Sequence, residues 1–186
     1  MSELSVGSLS GLAANGYVID VAAGSSLTQP GMILQVVSTT KTDSFSAGTS
    51  TFAEVTGLSA SITPSSVSNK IYIVVTGTAG HTSTSRPGYT TIAKDGSPIY
   101  IGDQYSTFTN WVRAGSAMSV SSDNFGDQIA MSYLDSPATT SSITYSVQAR
   151  VGDGTGAMTI GRTGGVSNDA NRFTAPSTIT LIEVAG

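Results

Sequence analysis

The chain has 186 residues, enough for one domain with its own core but few for two. Charged residues make up only 11% of it and the net charge is −4, with the basic residues scattered, so there is no basic patch suited to nucleic acid. It has no cysteine, which excludes disulfides, thiolate metal sites and cysteine nucleophiles.

Residues 1–29 are rich in glycine and other small residues. Only Tyr17 to Val21 alternates enough to predict a short strand. We expect residues 1–29 to form an extended arm that docks on a neighbouring subunit or a larger assembly. The first thirty residues lack a basic segment followed by an apolar one, and no long apolar run follows, so we expect synthesis in the cytoplasm without membrane insertion.

The body begins at Pro30 and Gly31 and extends over residues 30–186. Its first segment, Met32 to Val37, is apolar on both faces of a strand, and such a strand needs cover on two sides. We therefore expect one side of this strand to face the core and the other to face a neighbouring subunit or the arm.

Short alternating runs separated by turn signals follow at intervals near ten residues. Serine and threonine make up about 30% of the chain, valine is frequent, and no amphipathic helix is evident. This pattern predicts an antiparallel all-β sandwich or barrel. The predicted strands are 32–40, 51–58, 59–63, 70–78, 88–94, 98–102, 115–121, 128–134, 143–151, 157–162 and 178–184.

Three of these predictions have a local mechanism. Asp95-Gly96 supplies the positive φ values of a tight hairpin turn, and Pro98, which lacks a ladder donor, predicts an edge strand after it. Residues 143–151 alternate for nine positions, as in a strand buried on one face. The run 178–184 is apolar on both faces, which indicates a central strand or one that packs against another subunit.

Few residues suggest chemistry. The lone histidine is His81, and the sequence has no Gly-x-Ser-x-Gly motif that would supply a serine nucleophile for a catalytic histidine. We therefore expect His81 on a loop, exposed or in a subunit contact. "GDGTGA" at 152–157 precedes no helix start, so we predict a hairpin turn and not a phosphate loop. Asp123 and Asp127 lack the calcium-loop spacing, which favours a polar turn. We predict no catalytic residue, no metal, no cofactor and no enzyme activity.

The segment 103–114 concentrates Tyr105, Phe108 and Trp111 in a polar, irregular stretch. Aromatic rings with polar edges suit half-exposed positions at interfaces and against sugars. One interpretation is a loop that tucks its rings into the domain or a subunit contact. The other is contact with a glycan or receptor. Together with His81, these three residues are the candidates for receptor or subunit contact.

Several segments resemble a module common in virion proteins of tailed phages, especially phages of marine bacteria. The resemblance covers roughly residues 30–186, and it is carried in order by "GMILQVVSTTKTDSFS", "FAEVTGLSASITPSSVSNKIYIVVTGT", "KDGSPIYIGD", "YLDSPATTSSITYSVQARV" and "STITLIEVAG". Such modules are similar to the trimeric jelly rolls of tumour necrosis factor and complement C1q. The resemblance therefore implies an antiparallel jelly-roll-like β-sandwich that assembles as a homotrimer.

From this resemblance we expect a structural protein of the virion exterior, made in the host cytoplasm. Long fibres carry an anchoring domain and a repetitive shaft, and without these features the chain looks more like a capsid decoration, knob or short fibre. The arm would then bind other virion proteins of the capsid or tail. The alternative is a tail-fibre tip module that binds a host glycan or surface protein without catalysis.

Overall fold

The computed structural model describes residues 29–84 and 86–186, and the predicted strand at 17–21 and all of the arm except Gln29 lie outside them. The chain is all-β. The described residues form eleven strands: β1 (Ile33–Lys41), β2 (Phe45–Ala47), β3 (Ala53–Ile62), β4 (Lys70–His81), β5 (Pro87–Lys94), β6 (Ser97–Pro98), β7 (Ser116–Ser119), β8 (Asp127–Asp135), β9 (Ile143–Val151), β10 (Met158–Ile160) and β11 (Ser177–Val184). No helix among the described residues is long and apolar enough to cross a membrane.

The strands form two antiparallel sheets that pack as a sandwich. In the first sheet β1, β11, β4 and β8 lie side by side, and β10 and β2 extend it beyond the end of β11. In the second sheet the order is β3, β9, β5 and then β7, with β6 on the same edge of β5 as β7. Because the chain repeatedly passes from one sheet to the other, this order is that of a jelly roll, as predicted.

The core lies between the sheets and is built by strand alternation. On β9 every second residue, from Ile143 to Val151, is buried against the first sheet, and the strand has the predicted bounds. β11 lies between β1 and β4, which confirms the prediction of a central strand. Its core-facing side chains include Ile179 and Leu181, and both are fully buried.

A buried polar contact joins β8, at the edge of the first sheet, to the second sheet. Asp135 at the end of β8 accepts a hydrogen bond of 2.6 Å from the Tyr145 hydroxyl of β9. The same Asp135 oxygen lies 2.9 Å from Lys94 Nζ of β5. Burial, followed by the hydrogen bond to Asp135, raises the pKa of the Tyr145 hydroxyl, so Tyr145 stays protonated as a donor at neutral pH.

The Asp95-Gly96 hairpin is confirmed. Both residues have positive φ, 47° and 81°, and they connect Lys94 to its ladder partner Ser97. Pro98 lies on an edge strand, as predicted, but the strand predicted over 98–102 ends at Pro98 itself. After the proline the chain leaves the ladder, because the Ile99 and Tyr100 amides both donate to the carbonyl of Ile92.

Three other predictions were wrong in detail. The two strands predicted over 51–63 form the single strand β3, because Gly57, at φ 82°, absorbs an irregularity in the ladder instead of turning the chain. The "GDGTGA" segment is not a hairpin, since it connects β9 of one sheet to β10 of the other. β2 was missed because its three residues lie in a hydroxyl-rich stretch without a strand pattern.

Candidate functional site: an aromatic loop beside a polar cavity

The loop 103–114 brings its three aromatic side chains together. Tyr105, Phe108 and Trp111 are spaced three residues apart and are linked by two successive turns. In these turns the Phe108 amide donates a hydrogen bond to the Tyr105 carbonyl, and the Trp111 amide donates one to the Phe108 carbonyl. The rings are nearly parallel, with centroids 4.9 Å apart for Tyr105 and Trp111 and 5.4 Å apart for Phe108 and Trp111. All three rings are exposed, so the loop presents them to solvent.

The loop is closed at its base by polar contacts. The Arg113 Nε donates to the carbonyl of Gly102 at 2.6 Å, and the Gln104 side-chain amide donates to the Phe108 carbonyl inside the loop. Behind it, Gly115 donates to the Thr90 carbonyl on β5 at 2.9 Å, and a Cβ at Gly115 would overlap the Tyr100 ring. The aromatic cluster is therefore held on a defined base next to the second sheet.

A cavity of about 490 Å³ opens beside Trp111. It lies between the aromatic loop, the start of β5 and the end of β9. Its walls are formed by Arg86, Pro87, Tyr89, Asn110, Trp111, Val112, Gly152 and Asp153. The Gly152 amide donates to the Pro87 carbonyl at 3.0 Å and so ties two walls of the cavity together.

The charged groups of this cavity compensate each other. Arg86 NH1 lies 2.7 Å from Asp153 Oδ2, and the other oxygen of Asp153 accepts the Thr155 amide at 3.0 Å. The Thr155 hydrogen bond, assisted by the charge of Arg86, holds the pKa of Asp153 below its usual value. Asp153 is therefore ionised at neutral pH, which suits it to accepting hydrogen bonds and not to donating a proton.

Neither a protein-family model nor a curated protein matches this chain. What the loop and the cavity can bind follows from their own side chains. Exposed aromatic faces, hydrogen-bond donors on Arg86 and Asn110 and an acceptor on Asp153 converge on one open space. This combination is typical of a binding site for a ligand that is both apolar and polar.

The second exposed feature is the outer face of the first sheet. Registered pairs place Val36, Ile182, Tyr72 and Leu134 in one row across β1, β11, β4 and β8. Val36 is 57% exposed and Leu134 is 48% exposed. The adjoining rows carry serine, threonine, valine and alanine, and among the outward-facing residues of these four described strands only Lys70 is charged.

The prediction for Met32 to Val37 was that both sides of the strand are covered, and the structure confirms it for the inner side only. Val37 packs against the core, as predicted for the inner side. On the other side Ile33 and Val36 are exposed, since none of the described residues covers them. Whether a neighbouring subunit or the arm covers that side stays a prediction.

His81 does not lie on a surface loop, and this prediction was wrong. It is the last residue of β4 and is fully buried, because the ladder of β4 extends three residues beyond its predicted end to pair with β10. The Ser83 amide donates to His81 Nδ1 at 3.0 Å, which places the proton of the neutral ring on Nε2. His81 is therefore not available to a receptor.

Burial of His81 makes the stability of the protein pH-dependent. Burial lowers the pKa of its imidazole below the ordinary 6.5, although the charge of Asp153 partly opposes the shift. The unfolded chain thus takes up a proton before the folded one does, so the contribution of neutral His81 is complete above pH 6.5 and is lost as the pH falls.

We expect the urea midpoint of the wild type to fall between pH 7 and pH 5.5. His81→Asn, whose Oδ1 can still accept the Ser83 amide, should have a lower midpoint at pH 7 but a flatter profile over this range. If the urea midpoints of the two proteins changed equally with pH, His81 would not be the cause of the pH dependence.

The spacing of the aromatic residues was visible in the sequence, but the cavity was not. Arg86 and Asp153 are separated by 66 intervening residues, and they meet because Pro87 on β5 and Val151 on β9 lie at the same end of paired strands. Asp123 lies in a polar turn, as predicted, closed by the hydrogen bond from the Phe125 amide to the Ser122 carbonyl, whereas Asp127 begins β8. The turn was predictable, but the contact of the Asp123 carboxylate with Arg172, at 3.4 Å, was not.

Proposed function

We propose that this chain is a non-catalytic structural module of the exterior of a tailed-phage particle, as a capsid decoration, knob or short fibre, and that it works as an assembly of identical copies. The observation that carries the proposal is the outer face of the first sheet, with its apolar row and Lys70 as its one charged residue among the described strands. The sequence resemblance of residues 30–186 and the jelly-roll strand order support the same conclusion.

The face suits a second copy of this chain as its partner. The protein has a net charge of −4, so contact through charged surfaces would bring like charges together. The outer face avoids this cost, because its rows are aliphatic, aromatic or hydroxyl-bearing and Lys70 lies at one end. An exposed row of large apolar side chains on a sheet flanked by the edge strand β1 is a feature that proteins usually cover.

Three copies are the proposed number, by analogy with the trimeric jelly rolls to which phage modules of this kind are similar. Four strands spaced about 4.8 Å apart, each about eight residues long, give a projected area of roughly 500 Å². A stable interface buries about 800 Å² per partner. In a closed ring of three each copy contacts two neighbours, so the outer face would be one of two contact surfaces that each copy uses. Residues 1–29 would then attach the assembly to other virion proteins.

A test of the exterior location is labelling of intact phage particles. Antibodies raised against the full-length protein, detected with gold in electron micrographs, should decorate the outside of particles of the phage that encodes it, at the head or the tail. Labelling that appears only after the particles are disrupted, or that is confined to infected cells, would contradict the proposal. Antibodies against the major capsid protein serve as the control for particle integrity.

A second candidate function is attachment to a host glycan or surface protein. The exposed cluster of Tyr105, Phe108 and Trp111 favours it, because three ordered aromatic rings in solvent carry a cost that a ligand would relieve. This function is compatible with an exterior structural module, and it uses a different surface from the proposed assembly face.

A further inference from the structure

We infer that the cavity beside Trp111 binds a neutral pyranose ring, such as the terminal sugar of a surface glycan. This inference rests on the host-attachment function proposed above and adds the class of ligand. It follows from the aromatic surface, the polar groups and the charge balance of one site.

The aromatic surface provides a rigid stacking platform. The Trp111 indole is 58% exposed, yet it is supported from within the loop by Tyr105 and Phe108, which lie nearly parallel to it. A pyranose has one face of C–H groups that packs against an aromatic ring, while its hydroxyls remain at the edge. Because the indole is already ordered, stacking costs little conformational entropy.

The polar groups lie at the edge of this platform. Arg86 offers guanidinium donors, Asn110 both donates and accepts, and Asp153 only accepts. Among the described residues, Asp153 Oδ2 lies next to Arg86 NH1 and Oδ1 accepts the Thr155 amide, so each oxygen can accept from a further donor. A sugar hydroxyl donates and accepts at the same time, and this mixed set can bind two neighbouring hydroxyls together.

The charge balance selects a neutral sugar. Arg86 and Asp153 are paired at 2.7 Å, so the cavity has no net charge to attract an ion. An acidic sugar would compete with Asp153 for Arg86 and place two carboxylates side by side, which is repulsive. The cavity has a volume of about 490 Å³, which is in the range of small-ligand sites.

The chain reports on this site directly, because Trp111 is its only tryptophan. Full-length protein is titrated with the methyl pyranosides of glucose, galactose, mannose and N-acetylglucosamine, and with glucuronate as the acidic comparison. We expect at least one neutral pyranoside to change the tryptophan emission saturably and to protect it from iodide quenching, with weaker or no effect from glucuronate. No effect from any neutral sugar, or a preference for glucuronate, would overturn the inference.

Two matched variants locate the binding. Asp153→Asn should weaken it about tenfold or more, since a hydrogen bond to a charged acceptor is lost. Asp169→Asn is the control, because Asp169 makes the same type of turn contact, with the Asn171 amide at 2.9 Å, outside the cavity. Equal affinity of both variants and the wild type would place any sugar elsewhere and overturn the inference.

The native mass of the same samples separates this inference from the proposed function. If the protein is assembled but binds no sugar, the inferred sugar site is wrong and the proposed assembly is not affected. If the protein has the mass of a single chain and binds sugar, the proposed assembly is wrong and the sugar site is supported.

Discussion

Replacing Glu183 by alanine is expected to lower the free energy of unfolding by about 3–5 kcal/mol. Glu183 lies on β11, is almost completely buried, and has no cation among its described contacts. Its carboxylate instead accepts hydrogen bonds from Gln35 at 2.5 Å, from the Ser65 amide at 2.7 Å and from Asn69 at 2.6 Å. The Ser65 hydroxyl is a fourth donor, at 2.9 Å.

These bonds connect three parts of the fold through one side chain. Gln35 belongs to β1, whereas Ser65 and Asn69 belong to the loop between β3 and β4, which crosses from one sheet to the other. The alanine variant leaves the Ser65 amide without its acceptor. It also removes one of the two acceptors of the buried Asn69 side-chain amide, which then keeps only the Ser65 hydroxyl at 3.1 Å. The cost comes from these unpaired donors more than from the lost contacts themselves.

Urea unfolding of Glu183→Ala measures this cost, and Glu54→Ala is the matched control. Glu54 is an exposed carboxylate on β3, so its removal should change the free energy of unfolding by less than about 0.5 kcal/mol. A loss of less than about 1 kcal/mol for Glu183→Ala would show that the donors find water or other partners.

The same network predicts a second acid-sensitive step. Burial alone would raise the pKa of Glu183, but the hydrogen bonds from Gln35, Asn69 and Ser65 outweigh it and hold the pKa below the ordinary 4.5. The unfolded chain therefore binds the proton first. The stabilising contribution of Glu183 is complete above pH 4.5 and is lost as the pH falls through the folded-state pKa. The Glu183→Ala variant should lack this step, which lies below that of His81.

The second large effect is expected on assembly. Val36→Glu and Tyr72→Glu each place a carboxylate in the apolar row of the outer face, where a bound copy would bury it without a partner. The penalty for an uncompensated buried charge is about 3 kcal/mol or more, which corresponds to a hundredfold or greater weakening of each contact. Both residues are exposed in the single chain, so the fold itself should tolerate the change.

The control for these variants is Val67→Glu. Val67 is 61% exposed, close to the 57% of Val36, but it lies in the loop between β3 and β4 and outside the four-strand face. At micromolar concentration we expect Val67→Glu to keep the wild-type mass and the two face variants to dissociate. Unchanged mass for Val36→Glu and Tyr72→Glu would place any interface elsewhere.

The sequence was most informative where a local rule acts alone. Alternation over 143–151 fixed the bounds of β9, and Asp95-Gly96 predicted its turn because positive φ restricts the choice of residue. It was least informative where a distant partner decides the outcome. β2 forms only because β10 is beside it, and β4 continues to His81 for the same reason, so the histidine that a short strand would expose is buried.

The candidate site divides in the same way. The cluster of Tyr105, Phe108 and Trp111 could be proposed from spacing and polarity, but its exposure depends on the turns that hold the loop away from the core. The pairing of Arg86 with Asp153 required the register of β5 and β9. The apolar row was hidden because Val36, Tyr72, Leu134 and Ile182 each look like ordinary strand residues until four strands are aligned.

Assembly through the outer face of the first sheet is the central claim, and the native mass of the full-length protein tests it most directly. Light scattering on a sizing column or native mass spectrometry, at micromolar concentration, gives that mass. Three copies of the 18.9 kDa chain predict about 57 kDa. A mass of 18.9 kDa across that concentration range would contradict the claim.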